Sequence, residues 1–232
     1  MIPAAEIDLT RARAEEQRFI VKVYGWMSLG LAITALVAVV TASYPALLKL
    51  IVANRWVFYG LLIAQLILVG ALAGWVSKMS AGVASFIFVA YAALNGLTFS
   101  IIFLVFTVAS IATTFIITAG TFGLMSAYGY FTKRDLTSIG NLCFMALLGL
   151  IVASIVNLFW TNSTFYWITT YAGVLIFVGL TAYDTQKIKQ MNVLGNEGTD
   201  EDRKEAIVGA LALYLDFINL FLLLLRIFGR RR

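Results

Sequence analysis

One acidic residue lies deep inside the last long apolar run of this sequence and limits how the chain can fold. The run extends from Ala206 to Phe228, long enough to cross a bilayer as a helix, and Asp216 lies ten residues into it. A carboxylate at that depth is costly in lipid, so it is expected to face a protein-lined or water-filled interior. The last helix is therefore predicted to be buried in a bundle, with Asp216 directed inward.

Small and polar residues share one face of this predicted helix. At the helical period of 3.6 residues they fall on a single stripe, whereas the opposite face is almost entirely Leu, Ile, Phe and Val. The stripe consists of Gly209, Ala212, Asp216, Asn219, Leu223 and Arg226. Glycines within other apolar runs are likewise expected to mark close helix packing. They are Gly70, Gly74, Gly96, Gly120 and Gly123.

The composition predicts an integral membrane protein. Of the 232 residues, 61% are hydrophobic and 12% are charged, about half the charged fraction of a soluble domain. The mean hydropathy is +0.92. A single cysteine, Cys143, and the lack of histidine exclude an internal disulfide, histidine metal ligands and Ser–His or Cys–His catalysis. The net charge of +5 is attributed to orientation in the membrane, not to nucleic-acid binding.

Seven apolar runs of about 20 residues predict an all-α integral membrane protein with seven transmembrane helices. Residues 1–22 are expected to form a short cytoplasmic tail, residues 23–229 the transmembrane domain, and residues 230–232 a basic C-terminal end. Both prolines, Pro3 and Pro45, lie outside the runs, so no proline kink is expected. The predicted segments are Val23–Ser43, Trp56–Ser77, Gly82–Phe106, Ile111–Phe131, Ile139–Trp160, Phe165–Gln186 and Ala206–Phe228.

The distribution of lysine and arginine predicts the orientation in the membrane. With seven crossings, eleven basic residues lie on the side of the N-terminus and six on the other, so the N-terminus is expected to be cytoplasmic. Arg226 and the three arginines at 230–232 fit this orientation less well, because they lie on the face that is expected to carry few basic residues. If the last segment re-entered the membrane, the counts would become fifteen and two. The unbroken run of 23 residues favours a full crossing, with the C-terminus on the opposite face.

Only two acidic residues, Asp184 and Asp216, lie within the apolar runs, on consecutive antiparallel helices. Their small offset in depth allows a direct or water-bridged contact, and no basic residue is expected at their depth. Two carboxylates in a low-dielectric site cannot both ionise at low cost, so the pair is expected to hold a proton or a cation. Hard oxygen ligands suit Ca²⁺ or a proton better than a soft metal. Two structural alternatives remain open: Asp184 as an interfacial helix-end residue, and Asp216 as a carboxylic acid hydrogen-bonded for packing.

The residues around both aspartates resemble the Bax inhibitor-1 family of transmembrane proteins, and the length and segment pattern are similar to its bacterial members. The resemblance extends over nearly the whole chain. The matching stretches are Tyr183–Asp184, Gln186–Lys189, Leu213–Phe221 and the loop Lys133–Leu136.

The resemblance implies a seven-helix fold with the last helix at the centre of the bundle. It also implies a pH-sensitive Ca²⁺ leak channel or Ca²⁺/H⁺ exchanger gated by an aspartate pair, whose positions match Asp184 and Asp216. These two residues are then the candidate Ca²⁺ ligands, with Tyr183 and Asn219 in supporting roles. A multi-pass location in a bacterial inner membrane follows, with the lipid bilayer and Ca²⁺ or H⁺ as partners and no cofactor.

The second apolar segment departs from the family pattern at two positions. Some members carry a glutamate near the middle of that helix, where this chain has Gln65. A bacterial relative carries an arginine at its cytoplasmic end that latches onto the aspartate of the sixth helix. Val76 occupies that position here, with Lys78 two residues on. Because Lys78 is a flexible point charge in place of a bidentate fork, weaker gating by this helix is expected.

Two rival functions differ in class from a channel. An intramembrane aspartyl protease also places two aspartates on consecutive helices, but it needs Gly-x-Gly-Asp where this chain has Tyr214-Leu215 before Asp216. It also needs a Pro-Ala-Leu turn downstream, and no proline follows Pro45, so an enzyme is not expected. A non-transporting modulator of another membrane protein, such as a membrane protease or a stress-response complex, remains open.

Overall fold

The computed structural model describes residues 4–160, 162–191 and 195–232. Within these ranges, seven helical stretches are long and apolar enough to cross a membrane, which confirms the predicted all-α membrane fold. A 3₁₀ turn, Val76–Lys78, follows the third helix. The α-helices are α1 (Ala4–Ser43), α2 (Pro45–Ala53), α3 (Arg55–Trp75), α4 (Ala81–Phe99), α5 (Ile102–Val105), α6 (Val108–Phe131), α7 (Thr137–Phe159), α8 (Ser163–Met191) and α9 (Asp200–Phe228).

Helix α1 is longer than the apolar run that predicted it. It begins at Ala4, so the polar residues of the predicted tail continue the first spanning helix toward its N-terminus. The short helix α2 lies in the predicted connection to the next span and begins with Pro45, whose fixed φ suits the first helical turn. Residues 1–3 of the predicted tail and 192–194 of the predicted loop between the last two spans lie outside the described residues.

The third span is interrupted, although its apolar run predicted one helix to Phe106. Helix α4 ends at Phe99, and α5 resumes at Ile102. Two side chains at the break bond the backbone of the preceding turn: Thr98 Oγ1 donates to the Leu94 carbonyl at 2.8 Å, and Ser100 Oγ to the Leu97 carbonyl at 2.6 Å. Such bonds compete with the helical ladder and bend it without a proline.

Helix α9 is the most enclosed of the described spans. In its most apolar stretch 72% of the residues are buried, compared with 39% or less in the other spans, in agreement with the predicted central position. It is one unbroken helix of 29 residues, about 43 Å long at 1.5 Å per residue. Because a re-entrant segment needs a turn within the membrane, this continuity favours a full crossing.

The described chain divides into two compact units, and the first comprises Met1–Val105 with Ile188–Tyr214. Its core is organised around Tyr214, whose ring packs edge-to-face with that of Phe88, with 6.0 Å between the ring centres. The Tyr214 hydroxyl lies 2.7 Å from Thr34 Oγ1, which itself donates to the Ala92 carbonyl at 2.9 Å. Because that bond uses the threonine proton, the tyrosine is the donor in the first one.

Ion pairs connect α1 to the first turn of α9 and to the residues just before it, at one end of the first unit. Lys22 pairs with Asp202, which is 2% exposed and also accepts the Gly198 amide at 2.8 Å. Arg18 pairs with Glu197 at 2.6 Å in a more exposed position. The polar loop between the last two spans is therefore held against α1 by charge.

The second unit comprises Phe106–Lys187 with Leu215–Arg232. Its core contains an aromatic cluster around Phe217 of α9. The centre of the Phe217 ring lies 5.2 Å from that of Phe115 and 5.5 Å from that of Phe122. The Gln186 side chain accepts the Leu136 amide at 2.8 Å, which ties the α6–α7 loop to the end of α8.

Candidate functional site

The second unit brings together the two aspartates of the apolar runs. Asp216 of α9 is 4% exposed, and Asp184 of α8 is partly exposed. Their carboxyl groups are close enough to interact directly. Two ionised carboxylates have no hydrogen to share, so a hydrogen bond between the two groups would require one of them to carry a proton.

One oxygen of Asp216 has no hydrogen-bond partner among the described residues. Oδ2 is buried and accepts no hydrogen bond from the described residues. A buried acceptor without a donor costs about 1–3 kcal/mol, and an ionised one costs more. A proton, a water molecule or a cation at this oxygen would remove that cost, so the geometry can accommodate a small positive or hydrogen-bonding group.

Lys187 supplies positive charge beside the pair, where the sequence predicted no basic residue at the depth of the two aspartates. It lies one helical turn beyond Asp184, is exposed, and is close enough to interact electrostatically with that carboxyl group. Its ammonium group lies 5.9 Å from the centre of the Tyr183 ring. The predicted supporting residue Tyr183 thus positions the lysine as well as flanking Asp184.

Cys143 of α7 also lies beside the pair. The thiol is half-buried and close enough to interact electrostatically with Asp216. Its sulfur lies 2.6 Å from the place that a Cβ on Gly179 would occupy, so α7 and α8 are in close contact there. The sequence did not predict that this residue belongs to the site, because an isolated cysteine within an apolar run carries no signal of its neighbours.

Two glycines fix α8 next to Asp184. Gly129 of α6 lies against the Ala182 backbone, and Gly140 of α7 lies against the Tyr183 ring, with no space for a Cβ at either position. The glycines that sequence spacing predicted as packing positions behave differently. Only Gly96 is tightly packed, with a Cβ position 2.6 Å from Val37 Cβ in the first unit. A Cβ would meet nothing within 4 Å at the others, Gly70, Gly74, Gly120 and Gly123.

Two other residues that were predicted to support the aspartate pair form hydrogen bonds away from it. The Asn219 amide donates to the Leu215 carbonyl of its own helix at 2.8 Å. The Gln65 amide lies in the first unit, where it donates to Thr98 Oγ1 at 2.6 Å and to the Leu94 carbonyl at 3.3 Å. Gln65 therefore belongs to the polar contacts at the break that follows α4.

The predicted latch position also belongs to the first unit. Val76 and Lys78 form the 3₁₀ turn after α3, and Lys78 is exposed. Val76 borders a cavity of about 390 Å³ that is also lined by Glu201, Lys204 and Glu205 of α9. An arginine at position 76 would therefore have two carboxylates nearby within its own unit, and the latch onto Asp184 stays a prediction.

The sequence is similar to a family of membrane proteins over most of its length. A family model described as "Inhibitor of apoptosis-promoting Bax1" matches residues 16–232. The inner membrane protein YbhL of Escherichia coli K12 is 53% identical over 225 residues, which cover 97% of this chain and 96% of that protein. An uncharacterized protein of Borreliella burgdorferi is 44% identical over 97% of this chain and 99% of its own length. One from Deinococcus radiodurans is 43% identical, covering 97% of both chains.

Proposed function

Because this chain belongs to the Bax inhibitor-1 family, we propose that it is a pH-sensitive Ca²⁺ leak channel or Ca²⁺/H⁺ exchanger controlled by Asp184 and Asp216. The observation that carries the proposal is the close approach of these two carboxyl groups inside membrane-spanning helices, one buried and one partly exposed. The similarity to an inner membrane protein supports a place in the bacterial inner membrane. The basic-residue count supports a cytoplasmic N-terminus.

The pair controls the site through one proton. With the proton in place, the shared hydrogen bond connects α8 to α9. Its loss leaves two negative charges close together in a medium of low dielectric, where they either repel or recruit a cation. Ca²⁺, here the cargo, takes six to eight oxygen ligands, so the pair would supply part of its shell and water or carbonyl groups the rest.

The packing of α8 indicates which helix yields when the charges repel. On either side of Asp184 the helix lies against Gly129 and Gly140 with no free space, so α8 is held by α6 and α7. When the two carboxyl groups separate, α9 and the Asp216 side chain are therefore expected to move, while α8 stays in place. A proton bound ten times more tightly in the closed state shifts the equilibrium by about 1.4 kcal/mol, or tenfold in the ratio of closed to open forms.

Calcium flux through liposomes that contain only the purified protein tests this proposal. Flux is expected to rise with pH through the titration of the pair, because the closed form holds the shared proton and the cation-accepting form does not. Asp216→Asn and Asp184→Asn should each flatten this dependence. The double variant should add little to either single one, since the unit is already broken. A second dye that reports internal pH separates exchange from leak.

Asp135→Asn is the matched control, because it removes an exposed aspartate of the same unit outside the spans. It should leave the pH profile of flux unchanged. Aspartate variants that keep the wild-type profile, or single effects that simply add, would show that the two residues do not act as a unit. Folded wild-type protein that carries no flux would favour the non-transporting modulator.

A further inference from the structure

The second unit carries an exposed basic surface, formed by the end of α9 and the residues that follow it. Four arginine side chains are exposed there, and we call them the basic end: Arg226, Arg230, Arg231 and Arg232. We propose that the basic end is a docking surface for the headgroups of anionic phospholipids in the adjacent leaflet.

The backbone of the basic end is fixed against the start of α6. The Thr107 amide donates to the Arg230 carbonyl at 3.1 Å, and the Arg230 amide donates to Ser110 Oγ at 3.0 Å. Arg231 forms an isolated antiparallel bridge with Phe106. These contacts use main-chain groups of the arginines, so the guanidinium groups stay outside while the chain that carries them is ordered. A preorganised surface loses less conformational entropy when it binds.

No acidic side chain of the second unit lies beside these arginines. The unit contains three acidic residues, Asp135, Asp184 and Asp216. Along the helices, Asp216 is about 21 Å from Arg230 and Asp184 about 32 Å from the start of α8. Asp135 follows the far end of α6, which is about 35 Å from the start of that helix. None of the four guanidinium groups forms an ion pair with a described carboxylate. The surface therefore presents positive charge that the described part of this unit does not neutralise.

Aromatic side chains place the basic end at the level of lipid headgroups. The Arg226 guanidinium lies 5.4 Å from the centre of the Tyr166 ring, with its apolar stem available to pack on the helix. At the same ends of α7 and α8, Trp160 is 81% exposed, and Trp167 is stacked on Tyr171. Tryptophan and tyrosine concentrate at the boundary between lipid and water.

The chemistry of the surface selects its occupant. A guanidinium group binds phosphate oxygens through two parallel hydrogen bonds, and clusters of basic residues next to a span attract anionic lipids. The aromatic belt keeps these groups within reach of headgroups, so lipid phosphate meets them at high local concentration. Binding to lipid headgroups would also explain why four arginines lie on the membrane face that carries fewer basic residues in the predicted topology.

Thermal unfolding of the full-length protein in a neutral detergent tests this inference without measuring ion flux. Phosphatidylglycerol should raise the midpoint temperature, phosphatidylcholine should not, and added salt should reduce the rise. The variant Arg230→Gln/Arg231→Gln/Arg232→Gln should weaken the apparent affinity for phosphatidylglycerol at least tenfold. These side chains are exposed, so folding is expected to survive. The variant Arg230→Lys/Arg231→Lys/Arg232→Lys should retain more of the rise in midpoint temperature than the glutamine variant.

Two further variants distinguish a preorganised lipid-binding surface from nonspecific electrostatic attraction between the protein and anionic lipid. Lys49→Gln/Arg55→Gln removes one basic residue of α2 and one at the start of α3, on the same predicted face of the membrane, and should keep the lipid effect. Ser110→Ala keeps every charge but releases the Arg230 amide, and should weaken the effect. The inference is overturned if the arginine variant responds like wild type, if both charge variants lose the effect equally, or if Ser110→Ala loses nothing. An equal shift with inorganic phosphate would overturn the assignment to lipid.

Discussion

Gly129 of α6 lies directly against the backbone of Ala182 in α8, with no room for a side chain between the two helices. The contact is made two residues before Asp184, so it fixes the height and distance of that carboxyl group relative to α6. Backbone atoms cannot rotate away as a flexible side chain can. The position of the aspartate therefore depends on the lack of a Cβ on a neighbouring helix.

Gly129→Ala should lower the stability of the protein. The added methyl group meets the Ala182 backbone, and overpacking of this kind costs about 1–3 kcal/mol. Gly123→Ala on the same helix is the control, because a Cβ there meets nothing within 4 Å. Alanine is favoured over glycine in a helix by about 1 kcal/mol, so the control should be neutral or stabilising. Thermal unfolding in detergent compares the two, and equal midpoints would show that α6 and α8 are not in tight contact.

The two ion pairs of the first unit should differ strongly in their effects. Lys22→Gln leaves Asp202, which is 2% exposed, without its cation, and loss of one partner of a buried pair costs about 3–5 kcal/mol. Arg18→Gln breaks a pair whose side chains are 56% and 43% exposed, where about 0–1 kcal/mol is expected. Chemical unfolding of each variant measures the difference. Similar losses for both would mean that Asp202 is accessible to water.

Asp135 should show a pH effect that is separate from the pair. Hydrogen bonds from Thr137 Oγ1 at 2.6 Å and the Thr137 amide at 2.9 Å hold the pKa of the Asp135 carboxyl below its usual range. A lowered folded pKa contributes stability above the unfolded pKa, and this contribution is lost as pH falls through the folded value. Thr137→Val should raise this pKa toward its ordinary value in a carboxyl NMR titration. An unchanged titration would contradict the role of the hydroxyl.

Hydropathy was sufficient for the spans but not for their contacts. Long apolar runs report that a stretch leaves water, so the ends of α6 and α9 at Phe131 and Phe228 were predicted to the residue. The helical start of α1 was missed because polarity does not prevent a helix from continuing. The break after α4 was missed because it depends on the hydrogen bonds of Thr98 and Ser100 rather than on a proline.

The aspartate pair could be predicted because buried charge is rare and therefore informative. Asp184 and Asp216 were identified from their depth alone, and the structure places them close enough to interact. Neighbours without charge gave no comparable signal. Gly70 has the same type of sequence context as the glycines that do contact another helix, yet a Cβ there meets nothing within 4 Å. Which face of a helix meets another helix depends on the three-dimensional arrangement, which periodicity does not report.

Cys143 should act as a built-in reporter of the pair. It is the chain's single cysteine and lies beside Asp216, so a water-soluble thiol reagent labels this one site. If loss of the shared proton admits water and cations, labelling should accelerate as pH rises, by more than the growing thiolate fraction explains. Asp216→Asn keeps the thiol but removes the charge that opens the site, so the excess should disappear once each rate is corrected for the thiolate fraction measured in that protein. Labelling rates followed by mass shift between pH 5 and 9 measure this. A wild-type rate that follows thiolate fraction alone, as in the variant, would show that the pair does not open the interior near α7.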